Sequence, residues 1–235
     1  MAAGFQCKQF FIGHQHCAMK VGTDAFLLGA WAVLPERGAV LDIGCGSGIL
    51  SLMLAQRSQG LRPITALDLD AGAVQQSRVN VAASPWPSVI QVLQQDILTH
   101  QPAERYSLQI CNPPYFHQAL PSPDQARQRA RHSSSLPWPA LLQKTVQLSE
   151  ADGSLALVVP TDSLTLLLTL AAEAGWQLQR LCRVKALPDK TPGRALVQLV
   201  RQPVVPELTE LCIATAPGHY SQNYRELLQH FYLNF

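Results

Sequence analysis

Residues 112–115, Asn-Pro-Pro-Tyr, gather the groups that an exocyclic amine needs. Such an amine has two N–H donors on a flat ring. Asn112 offers a carboxamide oxygen, Pro113 and Pro114 offer free carbonyls, and Tyr115 offers an aromatic face that can hold the ring plane. Two consecutive prolines have no backbone donor, so the tetrapeptide cannot continue a sheet ladder and must turn. The apolar run before it, residues 106–111, reads as a buried strand. In open α/β sheets ligands bind at the carboxyl ends of strands. An Asn-Pro turn is also ordinary loop chemistry, and the motifs upstream decide between the two.

Upstream, residues 39–43 read as a buried strand, followed at once by Gly44-Cys45-Gly46-Ser47-Gly48 and an apolar helix over 49–57. Strand, glycine loop and helix make the first unit of a nucleotide-binding α/β fold, since glycine permits the tight turn and a close ligand approach. A dinucleotide site calls for Gly-x-Gly-x-x-Gly. Here the third glycine comes one residue early, and Asp42 sits two residues before the first. An acid beside the loop suits a cationic amino-acid group better than a pyrophosphate. A second strand over 63–67 ends at Asp68, placed for ribose hydroxyls. Asp70 reads as the N-cap of a helix over 71–81. A third strand over 89–93 is followed by Asp96, which is either a turn aspartate or a ligand.

The elements that must carry these residues fit in 235 residues, enough for one domain. With 47% hydrophobic and 14% charged residues the chain can build a large core and is not disordered. No apolar run is long enough for a membrane span, and the N-terminus has no continuous apolar signal region, so the chain reads as cytoplasmic. Six scattered cysteines read as free thiols. His14, His16 and Cys17 form a lone His-x-His-Cys cluster without a second half, so residues 1–20 read as a short strand or hairpin rather than a metal site. Thr23 or Asp24 reads as the cap of a helix over 25–33. The long polar segment 116–139, with Arg127, Arg129 and Arg131, reads as a substrate clamp. Further on come a helix over 138–148, a strand over 154–159, a helix over 161–174, and a hairpin-like pair over 177–187 and 194–201. An edge strand over 210–215 and an aromatic-rich helix over 220–233 complete the chain. Net charge is only +2, but it is segregated. Residues 178–201, including Arg183 and Lys185, carry six cations against one acid, and residues 122–144 carry four against one. Segregation of this kind can attract a polyanion.

Taken jointly, the glycine loop, the acids after the second and third strands, and Asn-Pro-Pro-Tyr resemble class I S-adenosylmethionine-dependent methyltransferases acting on nitrogen. A closer resemblance is to the bacterial tRNA methyltransferases that modify N6 of adenine 37 in valine tRNA. It is carried by Lys8-Gln9-Phe10-Phe11, Cys17-Ala18-Met19-Lys20-Val21-Gly22-Thr23-Asp24, Leu28-Gly29-Ala30-Trp31, Asn80-Val81-Ala82-Ala83-Ser84-Pro85-Trp86-Pro87, Asn112-Pro113-Pro114-Tyr115-Phe116 and Phe231-Tyr232-Leu233. The resemblance implies a Rossmann-like α/β fold: a seven-stranded, mostly parallel sheet with an antiparallel closing strand and helices on both faces. It implies one domain over 1–235, with residues 1–37 covering the cofactor site and 116–139 facing the substrate. S-adenosylmethionine would lie against Lys20, Thr23, Asp42, Gly44, Gly46, Gly48, Asp68, Asp96, Ile97 and Asn112. The family's second-strand acid is often Glu, and Asp68 is shorter but reaches a ribose. Asn112, Pro113, Pro114 and Tyr115 would hold the target amine and base. Phe116, Arg127, Arg129, Arg131, Arg183 and Lys185 would meet the tRNA. No metal is implied. Asn-Pro-Pro-Tyr also serves enzymes that methylate guanine N2 of ribosomal RNA or a release-factor glutamine; the basic clusters favour RNA, and the family resemblance favours adenine.

Overall fold

The computed structural model of the protein describes residues 4–15, 17, 21–113 and 137–235. The chain opens with a hairpin, β1 (Gly4–Gln6) and β2 (Phe11–Gly13), paired antiparallel. Helix α1 (Thr23–Trp31) follows, then β3 (Ala39–Ile43), α2 (Ile49–Arg57), β4 (Ile64–Asp68), α3 (Ala71–Ala82), β5 (Ile90–Gln94) and β6 (Tyr106–Cys111). Beyond the segment at 114–136 come α4 (Trp138–Leu148), β7 (Ser149–Pro160), α5 (Leu164–Ala174), β8 (Gln177–Lys185), β9 (Arg194–Val200) and β10 (Glu207–Cys212). A small hairpin, β11 (Ala214–Ala216) with β12 (His219–Tyr220), leads to α6 (Gln222–Leu228).

Among the described residues the central sheet has eight strands in the order β10-β8-β9-β7-β6-β3-β4-β5. Strand β9 runs antiparallel to both neighbours, and the other pairings are parallel. The order reverses between β3 and β6, the kind of switch point where α/β sheets open a ligand crevice. The strands alternate apolar residues to both faces, as a sheet covered on both sides requires. Val40, Ala156 and Val158 pack toward α1, α2, α3 and α6. Leu41, Ile43, Leu155, Leu157 and Val159 pack toward α4 and α5.

The sheet is thus one strand wider than the sequence implies. The extra strand is β10, at 207–212 rather than 210–215, paired in parallel with β8. Helix α1 begins at Thr23 with Gly22 as its N-cap, so neither Thr23 nor Asp24 caps it. Asp24 instead accepts from Arg194 at 2.9 Å. Asp70 does cap α3, its carboxylate accepting from Ala73 N–H at 2.7 Å. A 3-10 turn over Thr161–Ser163 precedes α5.

The C-terminal helix is shorter than its aromatic run suggests, because the residues after it do other work. Lys8 N–H donates to Phe231 O at 2.9 Å, Cys7 forms an isolated bridge with Tyr232, and Lys8 Nζ donates to the carbonyls of Gln229 and Phe235. The Tyr232 ring lies against Phe5 and Phe26. The tail is therefore a strap that fixes the N-terminal hairpin to the core. Phe231 is 2% exposed. Phe231→Ala is expected to lower the unfolding free energy by about 3–5 kcal/mol, the usual cost of emptying a buried phenylalanine site, read from chemical denaturation; a loss below about 1 kcal/mol would mean that the strap adds little to the folded state.

Candidate active site

Strand register assembles the site. Ile43 of β3 pairs with Leu67 of β4 on one side and with Cys111 of β6 on the other. Asp68 pairs with Gln94 of β5. Gly44, Asp68 and Asn112 therefore leave the sheet side by side at its carboxyl edge, and Asp96 follows just beyond β5. The glycine loop turns at this edge. Gly46 has φ +54° and a Cβ there would meet open space, so its glycine serves the left-handed conformation. Gly48 has φ +83° and a Cβ there would lie 2.5 Å from Ser77 Oγ, so its glycine also lets α3 approach the loop. A Cβ at Gly44 or Gly46 would meet nothing within 4 Å, which leaves a cradle open above the loop.

The carboxylates around this cradle have distinct tasks. Asp68 accepts from Gly46 N–H at 2.8 Å and from Asp70 N–H at 2.9 Å. It is half-buried, and each oxygen keeps a lone pair for a ribose hydroxyl. Asp42 is fully buried under the loop, and its Oδ2 accepts from Ser51 N–H at 3.0 Å and Ser51 Oγ at 2.7 Å. Its Oδ1 has no hydrogen-bond partner among the described residues. Burial raises the Asp42 carboxyl to about 7, with the nearby Asp68 charge adding and the Ser51 bonds opposing. Asp96 is half-buried and its Oδ1 accepts from Leu98 N–H at 2.8 Å, capping a 3-10 turn at Ile97–Thr99. Ile97 is buried in the α4-side core rather than standing as an exposed shelf. A loop with free space above it, a half-buried diol acceptor and an unpaired acid oxygen beneath fit a cofactor that carries a ribose and cationic groups.

Asn112 is half-buried and Pro113 buried. Thr23 lies exposed at the start of α1, on this same edge, because the neighbouring Asp24 pairs with Arg194 opposite Pro160 at the end of β7. Lys20, Pro114, Tyr115, Phe116, Arg127, Arg129 and Arg131 lie outside the described residues, as does nearly all of segment 116–139. The basic stretch 178–201 is less free than its sequence charge suggests. Arg180 pairs with Glu207 and Lys185 with Glu210, each at 2.8 Å, so the acids of β10 neutralise cations of β8. Arg183 is exposed and has no ion-pair partner among the described residues. Ser51 and Ser77 carry no motif in the sequence, and Asn80 enters it only as the first residue of a family-like stretch with no role of its own, yet all three hold the loop.

The buried acid makes stability depend on pH. A carboxyl raised in the fold keeps a proton that the unfolded chain releases, so stability falls as pH rises from the ordinary value of 3.8 through about 7 and is level above. Asp42→Asn keeps an oxygen for Ser51 without titrating. Its stability relative to the parent is expected to rise between about pH 5 and about pH 8 in denaturation of the cofactor-free protein; a constant difference would show that Asp42 does not titrate in that window.

The methyltransferase small domain family matches residues 17–161. The tRNA1(Val) (adenine(37)-N6)-methyltransferase of Tolumonas auensis is 46% identical over 97% of this chain and 96% of its own length. The protein of the same name from Pseudoalteromonas translucida is 42% identical over 98% and 99%. A solved structure described as a "predicted O-methyltransferase" from Agrobacterium tumefaciens aligns with a TM-score of 0.66 over 88% of this chain and 96% of that one, at 18% identity, and so shares the fold. On its glycine loop, its edge of carboxylates and this near-full-length likeness, the chain belongs to the tRNA1(Val) (adenine(37)-N6)-methyltransferase family.

Proposed function

We propose that this protein transfers a methyl group from S-adenosylmethionine to the exocyclic N6 of adenine 37 in a valine tRNA. The observation that carries this reading is the register that sets Asn112 beside Gly44 and Asp68. When bound, S-adenosylmethionine supplies an electrophilic methyl group on a sulfonium. Gly44, Gly46 and Gly48 would shape its seat, Asp68 would take the ribose hydroxyls, Asp96 would take the adenine amine with Ile97 behind the ring, and Asp42, raised to about 7 without the cofactor, would be drawn to its charged form by the cationic amino-acid end. Lys20 and Thr23 approach from the N-terminal extension.

The target N6 is a weak nucleophile because its lone pair is delocalised into the ring. Asn112 Oδ1 and a proline carbonyl of the following turn, from Pro113 or Pro114, accept its two hydrogens. That fixes the amine and aims its lone pair at the incoming carbon. Tyr115 and Phe116 stack on the extruded base. The Cys111 and Cys45 thiols beside the turn stay protonated, since burial raises both above the ordinary value of 9.0. A tRNA substrate and free cysteines throughout agree with work in the reducing cytoplasm. Among the described residues no helix is long and apolar enough to cross a membrane.

Mass spectrometry of nucleosides from valine tRNA incubated with the protein and labelled S-adenosylmethionine tests the reading. Label in N6-methyladenosine at position 37 supports it; label in guanine N2 of ribosomal RNA, or in a release-factor glutamine, replaces it. Asn112→Ala is expected to lower turnover by about a hundredfold or more, the scale of losing one preorganised polar contact, while S-adenosylhomocysteine affinity changes little. Asn112→Asp, which still accepts, should retain more activity than Ala. Loss of cofactor binding in the Ala variant would make the turn structural first. If the basic residues meet phosphates, tRNA affinity falls steeply with salt. Arg183→Glu should flatten that dependence by about one unit in the logarithmic slope. Lys185→Gln, removing a cation already paired with Glu210, should change it less; equal effects would mean that the pair opens on binding.

A further inference from the structure

Asn80, on α3, is 3% exposed and spends its whole carboxamide on two other parts of the chain. Its Oδ1 accepts from Gly13 N–H at 3.0 Å and from Gln76 Nε2 at 3.2 Å. Its Nδ2 donates to Gly13 O and to Ser47 O, each at 2.8 Å. Gly13 ends the N-terminal hairpin, and Ser47 lies in the glycine loop. Toward Gly13 the carboxamide behaves like the peptide group of a neighbouring strand, donating to one backbone atom and accepting from the other. An aspartate would set a carboxylate against two carbonyl oxygens, and a serine lacks the second donor. Gly13 is matched to this grip, since a Cβ there would lie 2.9 Å from Gln76 Nε2 and 3.2 Å from Asn80 Oδ1.

These bonds close a ring of contacts that passes through the glycine loop. The glycine loop runs directly into α2. Near the other end of α2, Gln56 Nε2 donates to His230 O of the C-terminal strap at 2.7 Å. The strap holds the hairpin through Lys8 and Cys7. The hairpin returns to the loop through Gly13, Asn80 and Ser47. Just past Gly13, Cys17 lies near the ribose acid: burial raises its thiol, and the Asp68 and Asp70 charges add to the effect.

We infer that Asn80 is a positioning residue: by locking the N-terminal hairpin to the Ser47 carbonyl it fixes the glycine loop in its cofactor-binding shape, so that affinity for the methyl donor depends on a hairpin remote in sequence. The inference rests on the reading that this loop seats S-adenosylmethionine. The hydrogen bonds of Asn80 go to Gly13, Gln76 and Ser47 and none to Asn112, so it governs cofactor affinity and leaves transfer itself alone.

The test is calorimetric titration of S-adenosylhomocysteine into the full chain, its Asn80→Ala and Gly13→Ala variants, and the double variant. Each single change is expected to weaken binding by about tenfold or more, in line with losses when groups that orient a binding shell are removed. The double variant should be no more than about twofold worse than the weaker single, because both changes break one link. Turnover at saturating S-adenosylmethionine should stay within about threefold of the parent, with KM for the cofactor raised and KM for tRNA unchanged. Hydrogen exchange should rise in residues 8–15 and 44–52 together in Asn80→Ala. Gly13→Ala leaves every bonding group of Asn80 in place, and it decides the matter if Asn80→Ala does not fold. Folded variants that bind within twofold of the parent, additive losses in the double variant, or exchange that rises in the hairpin alone would overturn the inference. Those results leave the functional reading standing. A parent protein that binds no S-adenosylhomocysteine overturns both.

Discussion

One carboxylate, that of Asp68, sets the shape of the site. Its two oxygens take backbone N–H groups from different places, Gly46 in the loop after β3 and Asp70 at the start of α3. Charge-assisted bonds of this kind are about twice as strong as neutral ones. They also leave Asp68 oriented in advance, with its unused lone pairs turned to whatever lies above the loop. A flexible acid would lose entropy each time a ribose bound; this one has already lost it in folding.

Helix α3 then supports the loop from behind. Its N-cap Asp70 lies two residues past Asp68, and the face bearing Gln76, Ser77 and Asn80 meets the loop and the N-terminal hairpin. Ser77 fills the space that a side chain at residue 48 would need. The glycine loop is thus held in front by a carboxylate and behind by small polar groups. Its left-handed backbone costs little because residues 44, 46 and 48 are all glycine.

The parts legible in the sequence are those whose chemistry is local. The glycine spacing, the acids that end β4 and follow β5, the Asp70 cap and the Asn-Pro-Pro-Tyr motif each show in a few adjacent residues, and the structure sets Gly44, Asp68 and Asn112 along one edge. The parts that were not legible depend on partners distant in the chain. Asn80 in a helix looks like a neutral interior residue until Gly13 and Ser47 are seen beside it. Asp42 appears in sequence only as an acid near the loop, whereas its bonds to Ser51 make it an anchor for α2. The basic run 178–201 counts as strongly cationic only until β10 brings Glu207 and Glu210 alongside. Thr23 and Asp24 are good capping residues by type, but the chain reaches the helical turn one residue earlier, at Gly22, and Asp24 is drawn to Arg194 instead.

The charge pattern of the edge bears on how a polyanion could use it. Asp42, Asp68, Asp70 and Asp96 cluster where the cofactor is proposed to sit. That field favours sulfonium and ammonium groups and repels phosphate, which agrees with the departure of the loop from the dinucleotide spacing. It also means that the ribose-phosphate chain of an RNA cannot lie across the cradle. Under the proposed function the base would enter alone, turned out from its backbone. Strand β8 ends on the same edge as β3 and β4 but on the far side of β9, and it presents exposed Arg183 there, away from the acids. Under the proposed function, setting Arg183 apart from the acidic cleft by several strands would let one sheet edge meet an RNA phosphate and a cationic cofactor at different places.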